Sequence, residues 1–394
     1  MKKLGIYIHI PFCMSKCNYC DFTSFAGYGM EAFVEYTKAL KTEIKGYAEG
    51  SQEIGGKIFI TSDYIVDTIF LGGGTPSLFP LALLTEIVKS ISDCFKLSEK
   101  LEFTIESNPK TLNSKSLSEY INLSINRLSM GAQSFDDNTL KFLGRAHDSS
   151  DIEKSFYIAR DAGFNNINMD FIFGIPNQTM PSWEDTILKV KALNPEHLSI
   201  YNLKIEENTP FSQMIKDGKI VEIEDKLDRR MYRFALDALT HKRRFDEVPQ
   251  DKYVKYEISN LSHKGFECRH NLKYWSMDEF LGLGLNAHSY INKTRSSNIS
   301  NLQDYIKNAG SFKIWEHKND IEDEISEYIF TGMRKTKGIS LNEFRTTFNI
   351  EIESKFGEEI KKLTIEKLII SRNGFLSLTN KGINISNYVL SHFV

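Results

Sequence analysis

The sequence predicts an α/β protein: a partial (β/α)6 barrel over residues 1–245, then a small α+β, winged-helix-like unit over residues 319–394. Three observations predict it. Short β-branched or apolar runs recur, each followed by a stretch of helical periodicity. The unusual polar and glycine residues fall at or just past the carboxyl ends of the expected strands. After Phe245 the rhythm changes, and the chain closes on helices around a short hairpin.

The expected strands are residues 4–10, 64–71, 101–107, 127–132, 167–173 and 197–203. Helical patterns cover residues 31–49, 81–94, 114–122, 150–162 and 182–193, and residues 225–239 follow the sixth strand. Such alternation implies a parallel sheet with right-handed crossovers. Six units suit a partial barrel better than a closed eight-unit one, and periodicity alone leaves a doubly wound open sheet as the alternative. The polar residues favour the barrel. A cysteine loop follows the first strand, Gly72-Gly73-Gly74-Thr75-Pro76 the second, Glu106 the third, Gln133 the fourth and Asp170 the fifth. In barrels that rim is where ligands gather.

Residues 246–318 read as a less regular middle region. Residues 253–261 and 266–270 are expected as strands, 274–283 as a helix, and the Asn-, Ser-, Lys- and Gly-rich stretch 298–318 as a connection. The hairpin near residues 369–378 carries Asn373-Gly374 as its turn signal.

The 394 residues are 41% apolar, ample for a buried core, and the net charge of −3 gives no field for nucleic acid. No run of eighteen apolar residues appears, and the apolar start is cut short by Pro11, too short for a secretory core. Five cysteines, three of them clustered, argue against a disulfide framework and fit a reducing cytoplasm.

Cys13, Cys17 and Cys20 stand in a C-x3-C-x2-C run with no fourth cysteine nearby. Three thiolates can hold three irons of a four-iron cluster and leave the fourth open to a ligand. The rival is a Cys3His zinc site with His9, although His9 lies inside the first expected strand. Gly72-Gly73-Gly74-Thr75-Pro76 lacks a lysine and is no P-loop; its glycines admit close backbone approach to a ligand. Glu106, Gln133, Arg145 and Asp170 supply donors and acceptors around the same rim. Beyond the barrel, His270-Asn-Leu-Lys-Tyr274-Trp275 reads either as a hydrogen-bonded histidine beside packed aromatics or as an axial haem ligand with a porphyrin-facing pair. Cys268 is a lesser candidate ligand, and Cys94, in an apolar helix, is expected in the core.

The cysteine run resembles the radical S-adenosylmethionine (SAM) family, whose open iron takes the amino and carboxylate groups of SAM and whose members release a 5′-deoxyadenosyl radical. Further motifs narrow the resemblance. Tyr7-Ile-His-Ile-Pro-Phe-Cys13, Gly72-Gly-Gly-Thr-Pro-Ser77, Ser129-Met-Gly-Ala-Gln-Ser-Phe135, Leu143-Gly-Arg-Ala-His147, Met169-Asp-Phe-Ile-Phe-Gly-Ile-Pro176 and Gly332-Met-Arg-Lys-Thr336 are similar to the oxygen-independent coproporphyrinogen III oxidase group. Within it, three features resemble the haem chaperones of the HemW type. Phe22 stands where the oxidases have a fourth cysteine, the first strand is expected almost at once where the oxidases carry an N-terminal extension, and His270-Asn-x-x-Tyr-Trp275 is similar to the chaperones' haem motif.

The resemblance implies a [4Fe-4S] cluster on Cys13, Cys17 and Cys20. It implies SAM held by Tyr7, Gly73 and Glu106, with the second-SAM positions of the oxidases matching Tyr19, Gly74, Thr75, Gln133, Arg145 and Asp170. It implies haem at His270, Tyr274 and Trp275. The expected function is cytoplasmic haem binding and delivery to acceptor haemoproteins, respiratory ones at a membrane, with a homodimer in view. The alternative is oxidative decarboxylation of porphyrinogen propionates, and because the SAM positions are complete the sequence leaves radical cleavage open. Leu285-Asn286 departs from the group's usual pattern and leaves the course of that turn open.

Overall fold

The computed structural model describes residues 1–240, 252–307 and 312–393; the expected boundary at 245/246 lies outside them. Six parallel strands lie side by side in chain order: β1 (Lys2–Ile10), β2 (Tyr64–Gly73), β3 (Leu97–Ser107), β4 (Arg127–Gln133), β5 (Ile167–Phe173) and β6 (His197–Asn202). A doubly wound sheet reverses strand order part-way; these six do not. Between them run α1 (Met30–Ala48), α2 (Leu81–Cys94), α3 (Ser114–Asn122), α4 (Ser149–Asp161) and α5 (Met180–Leu193), and α6 (Asp225–Leu239) follows.

β1 shows the logic of the sheet. Leu4, Ile6, Ile8 and Ile10 are fully buried and share one face, because alternate residues of a strand point the same way. Gly5, Tyr7 and His9 share the other face. In α1, Tyr36, Leu40, Ile44 and Tyr47 recur at helical spacing and are buried against the same core.

The middle region departs from expectation. Residues 266–270 form no strand, and residues 274–283 are not one helix. A short helix, α7 (Arg269–Trp275), is followed by β8 (Phe280–Leu283), with β7 (Asn260–Ser262) before it. The reason is tertiary. The Glu102 carboxylate accepts the backbone N–H groups of Arg269 and His270, both at 2.9 Å, and so caps a helix from a distant strand. Phe280, Leu281 and Leu283 are buried as β8 pairs in parallel with β1, from Gly5↔Phe280 to Ile8↔Leu283. A short continuous apolar run suits such a strand as well as it suits a helix.

The expected connection 298–318 also carries structure among its described residues. The sheet continues through β9 (His288–Ile291), β10 (Thr294–Asn298) and β11 (Lys313–Lys318), all antiparallel, with a helix Leu302–Lys307 between the last two. Leu302, Tyr305 and Phe312 anchor this stretch in the main core.

The C-terminal unit has its own core, built around Ile325, Ile329, Phe344, Leu363 and Leu376. Helices α8 (Ile321–Gly332), α9 (Leu341–Phe348) and α10 (Ile352–Ile365) pack on an antiparallel sheet of β12 (Ile339–Ser340), β13 (Ile369–Arg372) and β14 (Phe375–Leu378). Asn373 and Gly374 both take positive φ, as a two-residue hairpin turn requires. Among the described residues no helix is long and apolar enough to cross a membrane.

Candidate functional site

The cysteine loop leaves β1 and is stapled to the glycine loop at the end of β2. Gly74 N–H donates to Ile10 O and Thr75 N–H to Phe12 O, each at 2.8 Å. The backbones lie so close that a Cβ on Gly74 would sit 2.7 Å from Phe12 O. Below the loop, the Phe12 ring is wedged against Phe33, Tyr36 and Phe79. On the far side, Asn18 N–H donates to Leu143 O and its side chain to Phe142 O, tying the loop to the Leu143–His147 turn.

These staples bring the three thiols to one cavity of about 140 Å³, which Tyr19, Gly73, Gly74, Glu106, Gln133, Arg145 and Asp170 also line. Seven of the nine expected SAM positions therefore share a cavity with all three cysteines. Thr75 stands behind it and donates its hydroxyl toward Cys13 Sγ at 3.5 Å. Arg145 donates to Cys17 Sγ at 3.4 Å and to Gly131 O at 2.8 Å, and also bonds Asn108 Oδ1. Tyr7 does not line the cavity. Its ring lies beside Phe70, with centroids 6.3 Å apart, and its hydroxyl bonds His9 Nδ1 at 2.9 Å.

His9 is committed elsewhere than to the thiols. Nε2 is 2.8 Å from Thr23 O, and a carbonyl only accepts, so Nε2 carries the proton and Nδ1 accepts from Tyr7. Burial lowers its pKa to about 4 and keeps it neutral. Both nitrogens being engaged, the Cys3His zinc alternative has no histidine to offer. Nor do three His, Cys, Asp or Glu side chains converge on one metal ion among the described residues. A four-iron cluster takes each thiolate on a different iron and needs no such convergence.

The far wall is acidic. Glu106 accepts Gly73 N–H at 3.1 Å, and its pKa is raised to about 8, first by burial and then by the facing Asp170 charge. Burial raises Asp170 as well, against hydrogen bonds from Asn168 and Ser199 and the Arg127 and Arg145 charges. Two carboxylates crowded in this way favour a ligand that brings positive charge.

The expected haem residues lie apart from this cavity. His270 is fully buried against Gly5 of β1, with Nδ1 2.8 Å from Thr68 Oγ1 and Nε2 2.8 Å from the Tyr274 hydroxyl. Burial lowers its pKa to about 3. Tyr274 turns edge-on to Phe280, whereas Trp275 is half-buried beneath the Arg334 guanidinium, 4.4 Å from its ring centre. Cys268 is fully buried with Sγ 3.7 Å from Glu102 Oε1, and Cys94 packs half-buried against the main core.

Residues 7–190 match the model of the radical SAM superfamily, and residues 320–385 that of the HemN C-terminal domain. The heme chaperone HemW of Bacillus subtilis (strain 168) is 33% identical over 392 residues, 98% of each chain. The chain belongs to the HemW family. The heme chaperone HemW of Lactococcus lactis is 31% identical over 397 residues, covering 100% of this chain and 98% of its own. Among solved structures, coproporphyrinogen III oxidase (HemN) from Escherichia coli superposes with a TM-score of 0.83 at 22% identity. The match covers 100% of this chain and 90% of that one, and it shows a shared mixed α/β fold.

For a HemW-family chain, the residues present fit a cluster with SAM. Three thiols face one cavity, donors reach two of the sulfurs, and Gly73, Gly74, Glu106, Gln133 and Asp170 line the same space. Sequence reasoning missed Asn108, which receives Arg145 and donates to Thr75 at 2.9 Å, holding both sulfur donors. It also missed Asn18. Asn108 lies two residues past Glu106, and Asn18 lies inside the cysteine run.

Proposed function

We propose that this chain takes up haem and hands it to acceptor haemoproteins, while carrying a [4Fe-4S] cluster on Cys13, Cys17 and Cys20 with SAM beside it. The observation that carries this reading is the end-to-end likeness to heme chaperones, 98% of both chains in one case. When bound, the cluster and SAM supply one-electron chemistry. This chain's part is to hold them. Glu106 and Gly73 bind the ammonium end of SAM, Tyr7 keeps His9 beneath the glycine loop, and Asp170 and Gln133 take the sugar side. Thr75 and Arg145 steady the cluster sulfurs, which favours one SAM over two. Phe22 stands 71% exposed at the cavity rim and brings no fourth thiol.

His270 is the proposed iron contact, with Tyr274 and Trp275 beside the macrocycle. Its Nε2 becomes available only when the bond to Tyr274 breaks and α7 shifts, so haem capture by His270 is coupled to movement of that helix. The six parallel strands are read as the arc of a partial barrel, and the C-terminal unit as winged-helix-like. A cytoplasmic setting, respiratory acceptors at a membrane and a homodimer complete the reading.

Porphyrinogen oxidation is the second reading, favoured by the seven expected SAM positions that line one cavity with the three thiols. Anaerobically reconstituted chain with SAM, reductant and coproporphyrinogen III separates the two. Accumulation of protoporphyrinogen would overturn the chaperone reading, and haem binding followed by transfer to an apo-haemoprotein supports it. An unchanged Soret band in His270→Ala would remove His270 from the site.

A further inference from the structure

A second cavity lies far from the thiols, between α6, the strand Val254–Lys255, the turn after α8 and the end of the C-terminal hairpin. Its volume is about 550 Å³, against about 140 Å³ at the cluster, and the two share no lining residue. Arg229, Arg233, Lys255, Arg334 and Lys335 line it, with Asp237 as the one carboxylate among the described lining residues. Leu236, Val254, Met333, Leu378 and Ile383 supply an apolar surface between those charges.

We propose that this cleft is the outer docking site where haem is first captured, before its iron reaches His270, with the propionates on its arginines and lysines and the ring edge against its apolar wall. The proposal rests on the haem reading above and adds where the porphyrin first docks. Three features select this ligand. The volume suits a drug-sized planar molecule, for which pockets run from about 300 to 1,000 Å³. Among the described lining residues, five cations against one carboxylate favour a dianion and disfavour SAM, which carries a sulfonium and an ammonium. The apolar wall of Leu236, Val254, Met333, Leu378 and Ile383 offers the ring a hydrophobic face between those charges.

The cleft also touches the haem motif. Arg334 lies over Trp275, and Lys335 Nζ donates to Ser276 Oγ at 3.1 Å, so both cations pack on the end of α7. The other cations differ in freedom. Arg229 pairs with Asp225 at 3.1 Å, and Lys255 Nζ donates to the Tyr232 hydroxyl at 2.9 Å. Arg233 is exposed and makes no ion pair among the described residues. A propionate meeting Arg233 and Arg334 gains charge-assisted hydrogen bonds without breaking an existing ion pair closer than the 4.0 Å between Arg334 and Glu257.

The test is fluorescence titration of the full chain with metal-free protoporphyrin IX, which has the ring and propionates but no iron for His270. Arg233→Glu on α6 and Asn384→Glu on the facing wall are exposed positions that leave the fold intact. Each is expected to weaken porphyrin binding about tenfold. Wild-type affinity in both charge variants, with haem still binding the wild-type chain, overturns the cleft and spares the haem reading. A wild-type chain that binds neither haem nor protoporphyrin overturns both.

Discussion

Gly74→Ala isolates the staple between the cysteine and glycine loops. The added methyl would meet Phe12 O at 2.7 Å, Phe12 N at 2.9 Å and Ile10 O at 3.0 Å, all backbone atoms that cannot rotate away. Ordinary contact begins near 3.4 Å, so the cysteine loop must retreat by about 0.7 Å. That movement carries the two 2.8 Å bonds, Gly74 N to Ile10 O and Thr75 N to Phe12 O, to the limit of hydrogen-bond geometry. Losing both is worth about 1–3 kcal/mol, or about 5- to 150-fold in cluster affinity. The chain without its cluster relieves the clash by letting the loop drift, so its melting temperature moves less than its iron affinity. The assay is anaerobic reconstitution at graded iron and sulfide, read as iron per chain and visible absorbance. Gly357→Ala is the control, a site in α10 where a Cβ meets nothing within 4 Å. Wild-type iron loading of Gly74→Ala at every iron concentration would refute the staple.

Two further expectations concern buried polar groups. Burial raises the pKa of Glu43 from 4.5 to about 7, although Tyr305, Gly284 N–H and Asn298 all donate to it. A raised carboxylate pKa contributes stability that is present below about pH 4.5 and lost as pH rises through about 7, roughly 3 kcal/mol in all. Glu43→Gln should therefore start less stable at pH 5 yet lose less between pH 5 and 7.5 in urea titrations; parallel wild-type and variant curves would contradict this. His270→Ala removes the partner of both Thr68 and Tyr274 and opens a buried void, an expected loss of about 2–4 kcal/mol. A loss under about 0.5 kcal/mol in the same titration would contradict the buried pairing.

The six parallel strands were legible because each is a β-branched or apolar run bounded by turns, and four of them deliver a chemical group at the carboxyl end, with Asp170 midway along β5. Cys13, Gly74, Glu106, Gln133 and Asp170 could therefore be assigned to one rim before their distances were known. Residues 266–283 were not legible in that way. Their helix start depends on Glu102 and their strand on the partner β1, each remote in sequence. His270 shows the same limit from the other side. Its spacing to Tyr274 and Trp275 could be read, but nothing local says that Thr68 closes on its second nitrogen. The turn at Leu285-Asn286 was open for the same reason. Leu285 N–H donates to the Tyr36 hydroxyl, and the Asn286 side chain donates to Thr23 Oγ1 in the cysteine loop.

The parallel pairing of β1 with β8 sets an order of events during synthesis. The cysteines leave the ribosome early, but one edge of their strand stays bare until Phe280–Leu283 emerges, and Asn286 steadies the loop later still. Long-range parallel pairing forms late because its loop must close first. On the proposed cluster assignment, iron insertion is expected to wait until most of the chain has been translated, and a prematurely terminated product would present its thiols without the frame to retain a cluster.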